Sequence, residues 1–164
     1  VVDLLRRAGI EVVTAGLDAQ PVTASRGMKL LPDMTLDMAL QQHFDMVVLP
    51  GGLPGADHLR DDPRVIRLLQ DMAASEAYTA AICAAPRVLA RAGLLDGKRA
   101  TSYPGALDIE AIPGIQYLEA AVVTDGRVIT SRGPGTAMDF ALALIETLVG
   151  KTRRDEVEAG LQRA

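Results

Sequence analysis

A chain of 164 residues that is 49% apolar holds enough hydrophobic material for one domain with a sizeable core, and too little for two. Its formal charge of −4, from 17 Lys and Arg against 21 Asp and Glu, forms no basic stripe, which argues against nucleic acid or an anionic membrane surface as partner. The single cysteine, Cys83, permits no internal disulfide and fits a reducing compartment; no apolar run approaches the roughly 20 residues of a membrane span and no signal peptide opens the chain, so a cytoplasmic location is expected.

The first residues read as a helix entered mid-pattern: Val2, Leu4, Leu5 and Ala8 share a helical spacing, Arg6-Arg7 stand near its end, and Gly9 stops it. Ile10 to Ala15 then reads as a buried strand. Val22–Ala24 and Met28–Leu31, flanking Ser25-Arg26-Gly27, read as a short antiparallel hairpin. Thr35 can cap a short helix through Gln41. The run Asp45-Met46-Val47-Val48-Leu49 into Pro50-Gly51-Gly52 has the pattern of a parallel strand feeding a backbone-rich loop. After that loop Asp62 caps a helix with Pro63 at its first position, and Val65, Leu68, Leu69 and Met72 fall on one face. Tyr78 to Ile82 is a strand, the next helix runs through Ala92 to a stop at Gly93, and Arg99 to Tyr103 reads as another strand. Val122–Thr124 and Arg127–Thr130 around Asp125-Gly126 give a hairpin signal with a two-residue turn. Ala137, Phe140, Ala141, Leu144, Ile145 and Leu148 line one face of a helix that Gly150 terminates. Lys151 to Arg154 then read as a solvated basic group at that helix end, and a polar helix from about Asp155 closes the chain. Strands alternating with helices predict an α/β fold, a mostly parallel sheet covered by helices on both faces, in a single domain spanning 1–164.

Sites in such sheets form at the carboxyl ends of strands, where both Gly51-Gly52 and Cys83 fall. Cys83 stands between an apolar strand and Ala84-Ala85-Pro86, the expected place of a strand-to-helix elbow. Small neighbours there tolerate a sparsely populated backbone conformation, and the partial positive charge of a helix N-terminus favours a thiolate. The plainer reading is a small buried hydrophobe, the commonest role of a free cysteine. A thiolate attacking a carbonyl needs donors aimed at negative charge, and the backbone amides of Gly51, Gly52 and Ala84 can supply them. A Pro-Gly-Gly turn alone is usually just a turn.

Taken together these residues carry a resemblance. Pro50-Gly51-Gly52 with Gly55-Ala56 following, Ala81-Ile82-Cys83-Ala84-Ala85-Pro86, and above all Thr130-Ser131-Arg132-Gly133-Pro134-Gly135-Thr136 closely resemble the DJ-1/PfpI (ThiJ) superfamily, and its DJ-1-like branch in particular. The resemblance runs from Asp3 to Gly150. It implies a flavodoxin-like sandwich, a homodimer, and Cys83 as a reactive, oxidisable nucleophile with no metal or organic cofactor. It also implies a glyoxalase converting methylglyoxal to lactate, or a deglycase of early glycation adducts, linked to oxidative-stress protection. Cys83 would add to the aldehyde as a hemithioacetal while the Gly51, Gly52 and Ala84 amides hold the oxygen. Arg26 matches an arginine that the family places at the dimer contact near the site, and Pro134 belongs to the matching loop as a possible auxiliary residue.

Two departures stand out. The family pairs its cysteine with a protonated glutamate on the loop after a first strand, upstream of what is Val1 here. The polypeptide is therefore expected to extend ahead of Val1, and a protein truly beginning there is expected to have a gap in its sheet, to be unstable and to be inactive. The second departure is that Ile115 and Gln116 occupy the positions nearest to a site histidine found in some relatives. His58, in the loop after Gly51-Gly52, is then the best remaining candidate base; His43 reads as structural, and Asp62 and Asp139 as helix-end residues. A PfpI-type cysteine peptidase carries a histidine directly after its nucleophile, where Ala84 stands, and a glutamine amidotransferase needs a downstream His-x-Glu pair that is absent. The rival from another class is a non-enzymatic redox sensor or chaperone acting through oxidation of Cys83.

Overall fold

Side-chain alternation along the three parallel strands of the main sheet divides the core in two. A computed structural model describes residues 1–163. In chain order its elements are α1 (Val2–Arg7), β1 (Ala15–Gly16), β2 (Val22–Thr23), β3 (Lys29–Leu30), β4 (Met34–Thr35), α2 (Leu36–Ala39), β5 (Met46–Leu49), α3 (Gly55–Asp61), α4 (Pro63–Ala74), β6 (Tyr78–Ile82), α5 (Pro86–Arg91), β7 (Arg99–Ala100), β8 (Gln116–Tyr117), β9 (Val122–Asp125), β10 (Val128–Ser131), α6 (Ala137–Val149) and α7 (Lys151–Gly160). The main sheet has the order β5-β6-β10-β9, parallel except for the β9–β10 hairpin. Val47, Leu49, Ala81 and Val128 pack with Val65 and Leu69 of α4 and Val88 and Leu89 of α5. Their neighbours Val48, Ala80, Ile82 and Ile129 pack on the opposite face with Leu5 of α1, Phe140, Leu144 and Ile145 of α6, and Val157 of α7. The period of two along each strand thus requires a helical layer on both faces, which is the expected α/β sandwich.

Local chemistry sets the helix ends. Asp62 Oδ1 accepts from the Arg64 amide at 2.9 Å, and Pro63 fills the first position of α4. Thr35 Oγ1 accepts from the Met38 amide at 3.3 Å at the start of α2. At the far ends, Gly9 (φ +77°) and Gly150 (φ +90°) take left-handed backbone after α1 and α6.

Several expectations are corrected. Ile10 to Val13 are not in a strand: pairing begins at Thr14, whose carbonyl accepts from the Met34 amide at 3.2 Å, and only Ala15 and Gly16 enter a parallel ladder, with β4. The segment is held instead by side chains. Asp33 Oδ2 accepts from both the amide and the hydroxyl of Thr14 at 2.8 Å, and Arg6 Nη2 donates to Val12 O at 2.8 Å. A groove of about 1820 Å³ is lined by residues 10–16 and by Met46, Val48 and Pro50 to Gly52. The strand expected from Arg99 to Tyr103 ladders only at Arg99 and Ala100, with the unexpected β8. Residues 55–61, read as loop, form α3, which has no side-chain cap to announce it. The β9–β10 loop is Gly126-Arg127, since Asp125 is still paired with Val128. Finally, α7 starts at Lys151, so Lys151 to Arg154 are its first turn rather than a basic group at the end of α6. Arg153 there donates to Arg7 O (2.9 Å) and Ala8 O (3.1 Å), closing the carbonyl end of α1.

Candidate active site

Cys83 follows the last residue of β6 and has φ +64°, a left-handed conformation that costs a non-glycine residue about 1–3 kcal/mol. Three backbone bonds enforce it. The Cys83 amide donates to Ser131 O at 2.9 Å, the Cys83 carbonyl accepts from the Tyr103 amide at 2.9 Å, and the Ala85 amide donates to Ile82 O at 3.1 Å. The chain therefore turns sharply while its apex is tied to β10 on one side and to the segment after β7 on the other. Cys83 is a free thiol and only half-buried, whereas Ala84 and Ala85 are buried. The helix expected through Ala92 is the six residues Pro86–Arg91, so the elbow backbone, more than a long helix dipole, presents the thiol.

The loop after β5 closes on this elbow. A β-carbon at Gly51 would meet Cys83 Cβ at 2.6 Å, Ile82 O at 2.8 Å and the Ala84 nitrogen at 3.4 Å, so only glycine fits. Gly52 has φ +92°, and a β-carbon there would lie 3.1 Å from Ser25 Oγ. Among the described residues the amides of Gly51, Gly52 and Ala84 donate to no backbone carbonyl, which leaves them available to a ligand.

The structure thus brings Cys83, Gly51 and Ala84 together. It places the β2–β3 hairpin tip against Gly52 through Ser25, with the neighbouring Arg26 exposed. His58 is exposed on α3 rather than in a loop and lines the same groove as Gly51 and Gly52. Pro134 is exposed at the start of a single helical turn, Pro134–Thr136, and shares no hydrogen bond with the elbow. Among the described residues no three His, Cys, Asp or Glu side chains gather as a metal site.

Sequence reasoning missed the shell behind the elbow. Ser131 is fully buried; its Oγ lies 2.8 Å from Ala121 O and 2.7 Å from Thr136 Oγ1, which in turn accepts from the Gly133 amide at 3.1 Å. The Thr101 amide donates to Thr130 Oγ1 at 2.9 Å, and the Tyr117 hydroxyl to Ser102 O at 3.1 Å. Ser131 and Thr136 lay inside the motif already singled out. The pair Asp57–Arg87, separated by 30 residues and joined at 2.9 Å, gave no signal.

Fold and site together define an α/β protein that presents a cysteine on a strained strand-to-helix elbow beside a glycine pair. The chain belongs to the DJ-1/PfpI family, whose sequence profile matches residues 1–147, and within it to the DJ-1-like branch. It is 45% identical over 161 residues to protein dj-1beta of Drosophila melanogaster, spanning 97% of this chain and 86% of that protein. The crystal structure of Drosophila DJ-1beta matches with a TM-score of 0.93, covering 99% of this chain and 88% of that one. The glutathione-independent glyoxalase DJR-1.2 of Caenorhabditis elegans is 37% identical over 155 residues, or 94% of this chain and 82% of that protein. Oxidized Toxoplasma gondii DJ-1 matches with a TM-score of 0.90 at 36% identity, covering 99% of this chain and 89% of that one.

Proposed function

We propose that this chain is a cysteine-dependent, cofactor-independent glyoxalase or deglycase acting on methylglyoxal-type aldehydes or early glycation adducts. The observation that carries the reading is the Cys83 elbow: a half-buried thiol at φ +64° packed against Gly51, with amides at Gly51, Gly52 and Ala84 that donate to no backbone carbonyl among the described residues. A relative named as a glutathione-independent glyoxalase supports it. In the proposed reaction the Cys83 thiolate bonds to the aldehyde carbon and the amides hold the resulting oxyanion until it takes a proton. The hydrogen on that carbon then moves to the neighbouring carbonyl carbon as a proton through an enediol, giving a thioester. Water cleaves the thioester, releasing lactate and the thiol. His58 is the proposed proton carrier on the groove side, with Arg26 and Pro134 as auxiliary residues of a homodimeric, cytoplasmic protein. The test is lactate formation from methylglyoxal by the purified protein: Cys83→Ser is expected to abolish it, and turnover unchanged by that substitution would refute the reading.

A second reading, a redox sensor, is favoured by one observation: a structural relative was captured in an oxidized form. A sulfinate on Cys83 would draw on the same amides. Peroxide treatment followed by intact-mass measurement tests it, since a sensor must gain two oxygens on Cys83 and Cys83→Ser must not.

A further inference from the structure

We propose that Arg87 is a positioning residue for this site, holding the Gly51-Gly52 loop in register with the Cys83 elbow through Asp57; the proposal rests on the cysteine reading above. Arg87 lies in α5, directly after the Pro86 that ends the elbow, and Asp57 lies in α3, which begins just beyond Gly52. Arg87 Nη1 donates to Asp57 Oδ1 at 2.9 Å, the one side-chain hydrogen bond between α3 and α5 among the described residues. Both side chains are partly shielded, 22% and 33% exposed.

Asp57 is itself immobilised. Arg60 Nη1 donates to the same Oδ1 at 2.9 Å, while Arg60 Nε and Nη2 grip Asp61 at 2.8 and 2.9 Å. Arg87 Nε is buried with no acceptor. What the pair joins is specific: the amide donors of Gly51 and Gly52 come from one side of it, Cys83 and the Ala84 amide from the other. An oxyanion needs all of them at hydrogen-bond distance at once, and such bonds weaken steeply with misalignment.

Arg87→Gln is the diagnostic variant, because Asp57 keeps its Arg60 partner and is not left as an unpaired carboxylate. Melting temperature, Cys83 alkylation by iodoacetamide, and kcat and KM for methylglyoxal are measured together. Misplacing the donors is expected to lower kcat by about 10- to 100-fold, with KM and the alkylation rate within about two-fold of wild type. Arg87→Lys is expected to recover part of kcat. Asp57→Asn combined with Arg87→Gln is expected to be no worse than the worse single variant. An unchanged kcat, or alkylation and kcat shifting in step with melting temperature, overturns the proposal. If wild type forms no lactate, the glyoxalase reading fails first. The proposal is then read from peroxide oxidation, where Arg87→Gln must lower the fraction of Cys83 held as sulfinate, and an equal fraction overturns it.

Discussion

Gly51 stands against Cys83 so closely that a β-carbon at residue 51 would fall 2.6 Å from the cysteine's own β-carbon. The second obstacle, Ile82 O at 2.8 Å, is backbone of the central strand β6 and has nowhere to move. The expected outcome for Gly51→Ala is therefore a folded but displaced loop, destabilised by about 1–3 kcal/mol in urea denaturation. Lactate formation should fall by about 100-fold, the loss typical of removing one oxyanion donor. Wild-type turnover in this variant would mean that the Gly51 amide plays no part.

The left-handed backbone of Cys83 gives a test independent of any reaction. With φ at +64°, glycine is at ease and alanine is not. Cys83→Gly is expected to exceed Cys83→Ala in stability by about 1 kcal/mol, the reverse of the order found in a helix or strand. Both lack the thiol, so chemical denaturation of the pair isolates the backbone term. Alanine as the more stable of the two would show that the elbow relaxes once the sulfur is gone.

Much of this architecture was legible where a residue's own chemistry decides the outcome. Asp62 and Pro63 announce α4, Gly9 and Gly150 mark turns of the chain, and the apolar run Tyr78 to Ile82 ending at a lone cysteine gives the central strand and its elbow. What escaped was decided by distant partners. Ile10, Val12 and Val13 are apolar enough for a strand, but a strand exists only where another backbone meets it, and β4 meets this one only from Thr14 onward. β8 pairs with the expected β7 over only two residues and has no alternation to read. α3 lacks a side-chain cap, and Asp57 and Arg87 meet across 30 residues of chain. At the site, the glycines and the cysteine stood out through composition, while the hydroxyls behind them became meaningful only once their partners were placed.

Asp62 links acid sensitivity to one helix end. The hydrogen bond from the Arg64 side chain, aided by the Arg64 amide, holds its carboxyl below the ordinary value of 3.8. Because the unfolded chain takes up this proton at higher pH than the folded one, the stabilisation is present above about pH 4 and is lost as pH falls below it. Asp62→Asn keeps a capping side chain but not the charge. Wild type is expected to be more stable than this variant by about 1 kcal/mol at pH 7. The gap should close in denaturation series taken down to pH 3; a gap independent of pH would place the stabilisation in capping alone.

Ser131 and Thr136 make the last case. One hydroxyl ends β10 and the other lies just beyond it: Ser131 Oγ bonds Ala121 O (2.8 Å) and Thr136 Oγ1 (2.7 Å), and Thr136 Oγ1 takes the Gly133 amide (3.1 Å). Because Ser131 O also holds the Cys83 amide, this network fixes the strand end on which the elbow leans. Ser131→Ala removes two hydrogen bonds from a buried place, although the Ala121 carbonyl keeps the Arg132 amide and the Thr136 hydroxyl keeps its bonds to Gly133, and is expected to cost about 1 kcal/mol. Thr136→Val keeps the shape but deprives the Gly133 amide of its acceptor, with a loss of similar size. As the two residues serve one network, the double variant should be less destabilised than the sum of the singles by about 0.5 kcal/mol or more. A double-mutant cycle in urea measures this directly. Strict additivity would mean that the hydroxyls act separately and that the loop is held by its backbone.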